Sequence, residues 1–389
     1  MNTGVQRVVR ALHRALSALV PVTPLIWDPA LASYCTLSRR ERGFLEHPFA
    51  GRAADDAEPG RRANRVPLWS RFVRTVSHRR NRLDLPARLT AADTLFVPEI
   101  FQDNRVAFFG GLPTRTPARL VGMYYDALTL TRPDIMPSAR RAGFADYLRA
   151  LGGFHALVTI SQESAADLRA VWREGGRPDE RQPPVAVFHL PVDHDGAPRP
   201  PVTPAAAGVG RRTVLCVATF EPRKNHLLLL DAAERTWAAG ADWELVLVGR
   251  TTAGWGERVV ARVEEMRRAG RPVRWRRHVD DATLRRAYEG CAFTVFPSLA
   301  EGFGIPIVES VWHGRPCVCG SNGAIGEAAA GGGCLAVDQT DPAALAAGIR
   351  TLLDDAALYR RLCEEAAGRT FGTWEGLARE LSPILGKEA

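Results

Sequence analysis

The chain has 389 residues, 46% of them hydrophobic and 24% charged, which is typical of a globular protein. This length exceeds one ordinary core and predicts two domains of roughly 150–200 residues. No apolar run approaches the roughly 20 residues of a membrane-spanning helix. The seven cysteines are scattered and lack paired Cys-x-x-Cys spacing, so we expect reduced core thiols in a cytoplasmic protein.

Positive charge is concentrated in the first half of the chain. Residues 1–200 carry 28 Arg against 20 Asp and Glu, whereas residues 201–389 carry 23 basic and 23 acidic residues. Such a surface suits anionic lipid, a phosphorylated lipid carrier or nucleic acid. Because no nucleic-acid-binding signature is present, we expect no nucleic acid. Lysine occurs only at positions 224 and 387, which marks Lys224 as the internal site where an ammonium group is preferred.

Helical spacing begins almost at the first residue, with apolar side chains at Val5, Val8, Val9, Leu12, Leu16 and Leu19. An α/β domain ordinarily opens with a strand and a glycine loop before such a helix. The sequence therefore predicts that the first strand is missing, either because the start is misplaced or because the strand has been lost.

Residues 51–66 are rich in Gly, Ala, Asp and Arg and predict a surface loop. Residues 68–82 follow with an apolar stripe that contains Trp69 and is surrounded by arginines. A basic amphipathic helix of this kind suits the surface of an anionic membrane. An ordinary helix packed on a sheet fits the same pattern, and the sequence leaves both interpretations open.

Four apolar runs predict strands in the first half, at residues 94–98, 119–126, 157–161 and 185–193. The second run ends at Tyr125 and Asp126. Asp126 is a candidate for positioning an acceptor hydroxyl, or alternatively a cap for the next turn. Ser161 suits the N-cap of the following helix. The Pro-, Ala- and Gly-rich residues 194–210 predict a linker.

The second half repeats this alternation, with strands predicted at residues 213–219, 245–249, 273–275, 292–296 and 315–319. Arg223 and Lys224 follow the first of these strands, at the edge where a doubly wound sheet binds its ligands. The alternative is a solvated pair of surface charges.

The stretch 297–310 is the centre of this organisation. Its glycines allow the backbone to approach a ligand, and the helix predicted to begin at Pro306 presents amides that attract anions. Glu301 is expected at the end of the strand and Glu309 in the first helical turn, where both carboxylates would meet sugar hydroxyls. The alternative is that both are surface charges.

Residues 301–309 read Glu-Gly-Phe-Gly-Ile-Pro-Ile-Val-Glu, which resembles the E-x7-E signature of retaining glycosyltransferases of family 4. The opening Thr-Gly-Val-Gln-Arg-Val is similar to the first loop and helix of bacterial polysaccharide glycosyltransferases. The resemblance implies an α/β GT-B fold, with two Rossmann-like domains facing across a cleft. It implies an acceptor domain at 1–193, a linker at 194–210, a nucleotide-sugar domain at 211–370 and a helix in 371–389 that crosses back.

The resemblance also implies which residues form the site. The catalytic residues would be Arg223, Lys224, Glu301 and Asp126. Donor binding would involve Gly4, Arg223, Lys224, Arg277, His278, Glu301, Gly302, Phe303, Gly304, Ile305 and Glu309, with Glu309 on the ribose. Tyr125, which stands where the family usually has His, and Asp126 would line the acceptor and sugar pocket. Residues 321–327 resemble a loop near the donor sugar. No metal ligand is implied.

The implied reaction is metal-independent, retaining transfer of a hexose, with mannose the best guess. The donor would be GDP-mannose or a UDP- or dTDP-sugar, and no cofactor is expected. The acceptor would be a glycan or a lipid-linked glycan of bacterial O-antigen or capsule, reached from the cytoplasm at the inner face of the membrane. Two alternatives remain: a catalytically silent scaffold that binds nucleotide sugar or membrane, and a nucleotide-sugar epimerase.

Overall fold

The short apolar runs of each half form strands of two separate parallel sheets. In the computed structural model, residues 4–46, 78–136, 141–193, 199, 212–277 and 279–386 are described. The first sheet has the order β3-β4-β5-β6, and an antiparallel hairpin, β1-β2, precedes it. The six strands are β1 Leu25–Asp28, β2 Ser33–Thr36, β3 Thr94–Val97, β4 Arg119–Tyr124, β5 Ala156–Thr159 and β6 Val185–Val187.

The second sheet has six parallel strands in the order β12-β11-β10-β7-β8-β9. Its chain order reverses direction at β7, which creates the crevice where doubly wound sheets bind ligands. Its strands are β7 Arg212–Val217, β8 Trp243–Val248, β9 Val273–Arg276, β10 Phe293–Phe296, β11 Cys317–Cys319 and β12 Cys334–Ala336.

Helices connect the strands and cover the sheets. In the first half they are α1 Gly4–Ser17, α2 Arg39–Glu46, α3 Leu85–Arg88, α4 Arg105–Gly111, α5 Leu128–Thr131, α6 Arg141–Leu151 and α7 Gln162–Glu174. In the second half they are α8 His226–Ala238, α9 Trp255–Arg268, α10 Asp281–Gly290, α11 Ile305–Trp312, α12 Gly323–Ala329, α13 Pro342–Asp354, α14 Ala356–Gly368 and α15 Trp374–Leu381. Single 3₁₀ turns lie at Asp179–Arg181 and Pro222–Lys224.

Most of the predicted strands are present, and three local predictions are wrong. Only Val185–Val187 is strand in the range 185–193. The range 321–327 is mainly the start of helix α12, because Gly323 begins a helical turn. Helix α11 begins at Ile305, one residue earlier than predicted, which places Glu309 in its second turn. The predicted cap of α7 is confirmed, since Ser161 Oγ accepts the amide of Ser164 at 3.0 Å.

Several predictions fall outside the described residues. These are the loop at 51–66, nearly all of the helix at 68–82, almost the whole linker at 194–210, and His278. The limits of the domains and the membrane contact therefore stay predictions. Across the described residues, no helix combines the length and apolarity needed to cross a membrane. All seven cysteines are free thiols, six of them buried, as the scattered spacing predicted.

The two halves share a hydrophobic core, to which α1, β4, β5, α11, α12 and α15 all contribute. Helix α15 packs against α1, so the end of the chain lies on the first half. Hydrogen bonds extend this contact to the first sheet: Thr94 Oγ1 donates to the carbonyl of Leu385 at 2.6 Å, and Arg119 Nε to that of Ile384 at 2.8 Å.

Candidate functional site

A buried cluster of charges lies where the loops after β7 and β10 meet. Arg223 Nη1 donates to Glu301 Oε2 at 2.5 Å, and Lys224 Nζ donates to Oε1 of the same carboxylate. Ser298 Oγ also donates to that oxygen. The side chains of Lys224 and Glu301 are 9% and 8% exposed. The interpretation of Arg223 and Lys224 as solvated surface charges is therefore wrong.

The ionisation of this cluster follows from its burial and its pairing. Desolvation would raise the pKa of Glu301, but the charges of Arg223 and Lys224 outweigh it and hold that pKa at about 2. Burial, with the neighbouring Arg223, lowers the pKa of Lys224. Its ammonium group also lies 4.9 Å from the ring centre of Phe296. Glu301 is thus a fixed carboxylate between two cations.

The backbone holds the two cations in place before any ligand arrives. Pro222–Lys224 form a 3₁₀ turn that ends at Asn225, a non-glycine residue in the left-handed region with φ 55°. The carbonyl of Arg223 accepts the amide of Leu299 at 2.8 Å. Asn225 Nδ2 donates to the carbonyl of Gln339 at 2.7 Å. Three loops at the carboxyl edge of the sheet are therefore tied together.

Asp126 approaches this cluster from the first half of the chain. A Cβ placed on Gly302 would lie 2.6 Å from the carbonyl oxygen of Tyr125 and 3.1 Å from the Cβ of Asp126. Only glycine allows so close an approach. Burial raises the pKa of Asp126, with Arg223 opposing the shift. Asp126 Oδ1 also accepts the amide of Leu128 at 3.1 Å, so it caps α5 as well as facing the cluster.

Two serines join the halves at the same place. Ser161 Oγ donates to the carbonyl of Gly302 at 2.7 Å, and Ser164 Oγ lies 3.0 Å from that oxygen and 2.6 Å from the carbonyl of Tyr125. The hydroxyl of Tyr125 does not point into this network. It is buried and donates to the carbonyl of Pro98 at 2.7 Å. The sequence expected Tyr125 to offer its hydroxyl to a sugar, whereas here its backbone faces the site.

Glu309 is buried, 2% exposed, and both of its oxygens have partners. Arg7 Nη1 from α1 donates to Oε1 at 3.0 Å, and the hydroxyl of Tyr288 donates to Oε2 at 2.8 Å. The interpretation as a surface charge is wrong for this residue too. A ribose at Glu309 would have to replace or share these donors.

The other residues predicted for the donor site lie in different surroundings. Gly304, with φ 107°, lets the chain turn into α11, and a Cβ on Gly4 would lie 3.6 Å from Ile305. Phe303 is buried and stacks on His189 at 5.9 Å between ring centres. Arg277 is exposed and follows the edge strand β9, which β7 and β8 separate from β10.

Comparison with known proteins gives this geometry a family. Residues 211–355, which contain the cations, both glutamates and all six strands of the second sheet, match the family described as glycosyl transferases group 1. The match covers residues 211–355 alone, and this stretch is named the group 1 domain. The group 1 domain therefore includes Arg223, Lys224 and the whole signature at 301–309.

Curated relatives of the chain include mannosyltransferases. It is 29% identical over 207 residues to the serotype-specific mannosyltransferase WbdA of Escherichia coli, a match that covers 50% of this chain and 25% of that protein. It is 27% identical over 244 residues to the O-antigen chain mannosyltransferase B of E. coli, covering 61% of this chain and 62% of the relative. The match to this chain spans about a quarter of the length of WbdA.

Solved structures confirm the GT-B fold. Sucrose-phosphate synthase from Thermosynechococcus elongatus has a TM-score of 0.67 at 18% identity, covering 98% of this chain and 92% of its own. HepE from Anabaena, crystallised with UDP and glucose, has a TM-score of 0.59 at 16% identity, covering 82% and 81%. The predicted pair of Rossmann-like halves facing across a cleft is correct.

Two acidic residues at the edge of the site were missed by the sequence analysis. Glu327 in the group 1 domain accepts the amides of Gln162 and Glu163 at 2.8 and 2.7 Å, and so caps α7 of the first half. Asp167 on α7 has its pKa raised to about 6, by burial and then by Glu163. Asp167 lies in the helix predicted after Ser161 and Glu327 in the loop predicted at 321–327, and neither position carries a local signal for these contacts.

Metal ligation has no candidate in the described part of the chain, where no three or more His, Cys, Asp or Glu side chains are placed to hold an ion.

Proposed function

We propose that the protein is a retaining glycosyltransferase that transfers mannose from a nucleotide sugar to a glycan or lipid-linked acceptor during synthesis of a bacterial O-antigen or related surface polysaccharide. The observation that carries this proposal is the buried Arg223–Glu301–Lys224 cluster, which faces Asp126 at the junction of the two halves. The names of the relatives support the sugar and the polymer.

The charge cluster fits a reaction whose leaving group is a nucleoside diphosphate. Negative charge grows on the leaving phosphate as its bond to the sugar breaks. Arg223 and Lys224 are already fixed by Glu301, so they stabilise that charge without reorganising. The N-terminus of α11 adds backbone amides and the positive end of its dipole. These groups would take the role that a metal ion has in other transferases, so the proposed reaction is metal-independent.

In the proposed chemical step, the acceptor hydroxyl attacks the sugar from the same face from which the leaving group departs. The oxygen of the acceptor hydroxyl forms a bond to the anomeric carbon, and the bond from that carbon to the phosphate oxygen breaks. The hydroxyl proton passes to the departing phosphate oxygen, so the configuration of the sugar is retained. Asp126 accepts a hydrogen bond from a second hydroxyl of the acceptor sugar and so orients the attacking hydroxyl, consistent with its position beside Gly302.

The other predicted residues receive narrower roles. Glu301 fixes the two cations and meets a sugar hydroxyl, while Glu309 binds the ribose by exchanging one of its present donors, Arg7 or Tyr288. Movement of the two halves during the cycle would make that exchange easier, because Arg7 lies on α1. The acceptor is reached at the cytoplasmic face of the membrane.

Donor binding and hydrolysis test the proposal. Calorimetry and product release would be measured for GDP-mannose, UDP-glucose, UDP-N-acetylglucosamine and dTDP-rhamnose, with and without EDTA. Lys224→Ala should weaken hydrolysis of the correct donor by about 10²–10³-fold, the usual effect of losing one charge-stabilising donor. Arg274→Ala is the matched control, because it removes an exposed cation of the same domain.

Binding of one donor in EDTA, together with a product of retained anomeric configuration by NMR, is the expected result. Absence of binding to all four donors would overturn the proposal, and an inverted product would refute the retaining mechanism alone.

A further inference from the structure

A cavity of about 520 Å³ lies beside the charge cluster and is lined from both halves of the chain. Arg132, one residue after α5, provides one wall, and the loops that follow β10, β11 and β12 provide the others. Its volume lies within the range of roughly 300–1,000 Å³ found for small-ligand sites. None of the residues that carry the proposed reaction lines it.

The lining is rich in groups that recognise hydroxyls. Asn322 and Gln339 contribute amides, Ser321 and Thr340 contribute hydroxyls, and Val337 is apolar. Amide and hydroxyl side chains both donate and accept hydrogen bonds, which suits neighbouring hydroxyl groups on a sugar ring.

The charge balance argues for a neutral ligand. Arg132 is the cation in the lining, and Asp338 is a carboxylate of the same lining. Arg132 is also paired with Asp134 through two hydrogen bonds of 3.0 and 2.8 Å. With one arginine and one aspartate, the lining carries no net positive charge that would attract a phosphate. The ligand therefore has the chemistry of an uncharged saccharide rather than of a lipid diphosphate.

Hydrogen bonds connect the walls of the cavity to the reaction site. Asn322 Nδ2 donates to the carbonyl of Leu299 at 3.1 Å, and Leu299 is bound in turn to the carbonyl of Arg223. Gln339 Nε2 donates to Asn322 Oδ1 at 2.5 Å, and its carbonyl accepts Asn225, the residue after Lys224. The walls are thus fixed to the loop that holds the cations.

Helix α5 joins the cavity to Asp126. Asp126 caps this helix at Leu128, and the amide of Arg132 donates to the carbonyl of Leu128 at the other end. Four residues of helix span about 6 Å. A glycan whose terminal hydroxyl lies at Asp126 would therefore extend along α5 towards Arg132.

We propose that this cavity is an acceptor subsite that holds the inner sugars of a neutral glycan whose terminal residue is being extended. The proposal rests on the glycosyltransferase function above and deepens it. It means that the enzyme extends an existing chain and recognises more than one sugar of that chain.

The test fills the cavity without touching the reaction site. Ala336 lines the cavity and is exposed at the end of β12, so Ala336→Trp should occlude it. Ala239→Trp places the same bulk on an exposed alanine at the end of α8 and serves as the matched control. Arg132→Ala removes the opposite wall. Each protein would be given methyl mannoside, mannobiose and mannotriose as acceptors with GDP-mannose.

In the unaltered protein, kcat/KM for transfer should rise with acceptor length. Arg132→Ala should lower the mannotriose value by about tenfold, the effect of losing a hydrogen bond to a charged group. Ala336→Trp should lower it by a similar factor, because the indole ring occupies the space of the inner sugars. Donor hydrolysis and transfer to methyl mannoside should be unchanged. Because donor hydrolysis is measured separately, its absence marks failure of the glycosyltransferase function.

A binding measurement tests the subsite whether or not the protein hydrolyses the donor. Saturation-transfer NMR of mannotriose with the donor-free protein should show contacts that Ala336→Trp removes and Ala239→Trp keeps. Equal contacts in Ala336→Trp, or a kcat/KM that does not depend on acceptor length, would overturn the subsite.

Discussion

Separating the charges of the buried cluster should have a measurable cost, because Glu301 lies between two cations with little access to water. Its pKa is about 2, against an ordinary value of 4.5. That difference corresponds to about 3 kcal/mol of stabilisation of the folded state at neutral pH. Glu301→Gln should reduce the free energy of unfolding by roughly 3 kcal/mol, because it removes the carboxylate that both buried cations share. Lys224→Met should reduce it by less, because Arg223 still pairs with Glu301.

The double variant separates this pairing from the loss of either side chain alone. Glu301→Gln with Lys224→Met removes two of the three charges and leaves Arg223 paired with Glu221, so stability should recover in part and the two losses should not add. Donor hydrolysis should not recover, because the cation is still absent. Urea unfolding at pH 7 measures the free energies of the unaltered protein, the two single variants and the double variant. Arg274→Met and Glu244→Gln form the control cycle, because this ion pair lies nearer the surface and should couple by less than about 1 kcal/mol.

The pH dependence gives an independent check. Because the folded-state pKa of Glu301 is depressed, its contribution is complete above pH 4.5 and is lost as the pH falls towards 2. The unaltered protein and Glu301→Gln should therefore converge in stability over that range. Additive losses within about 0.5 kcal/mol in the cycle, or a difference that persists at low pH, would refute the account of a coupled buried pair.

Three further predictions concern the junction of the halves. Gly302→Ala would place a methyl group 2.6 Å from a backbone oxygen, so it should lower the free energy of unfolding by about 1–3 kcal/mol and enlarge the radius of gyration in X-ray scattering. Gly43→Ala is the control and should change neither quantity, because the space around Gly43 is open. Glu327→Ala removes the acceptor of two amides and should cost about 1 kcal/mol in urea unfolding; an unchanged midpoint would contradict its role as a cap. Asp167 has a pKa raised to about 6, so the stabilisation that its protonated carboxyl gives the fold is lost as the pH rises through 6. The melting temperature of Asp167→Asn should therefore exceed that of the unaltered protein at pH 8 and equal it near pH 3.5.

The sequence predicted those parts of the site that depend on one sheet. The carboxyl ends of neighbouring parallel strands meet at one edge, so loops after β7 and β10 had to bring Arg223, Lys224 and Glu301 together. The period and composition of the apolar runs located those strands without knowledge of the fold.

The contacts between the halves were beyond sequence reasoning. Arg7 meets Glu309 across 302 positions of the chain, and Glu327 meets Gln162 across 165. Such pairs depend on how two finished surfaces fit, and no local pattern encodes that fit. For the same reason, the hydroxyl of Tyr125 could not be assigned to the interior, since the carbonyl that it binds belongs to a different loop.

The packing of α15 on α1 has a consequence for the order in which the protein is made. Helix α15 is synthesised more than 350 residues after α1, yet it packs against α1 and shares a hydrophobic core with Val8 and Leu12. At roughly 5–20 residues per second, translation would leave the apolar face of α1 uncovered for about 20–70 seconds. The group 1 domain can close its own sheet during that time, whereas the first half waits for the end of the chain. Truncation before Trp374 should thus harm the domain translated first, and a ribosome-bound nascent chain should expose α1 to chaperones until α15 emerges.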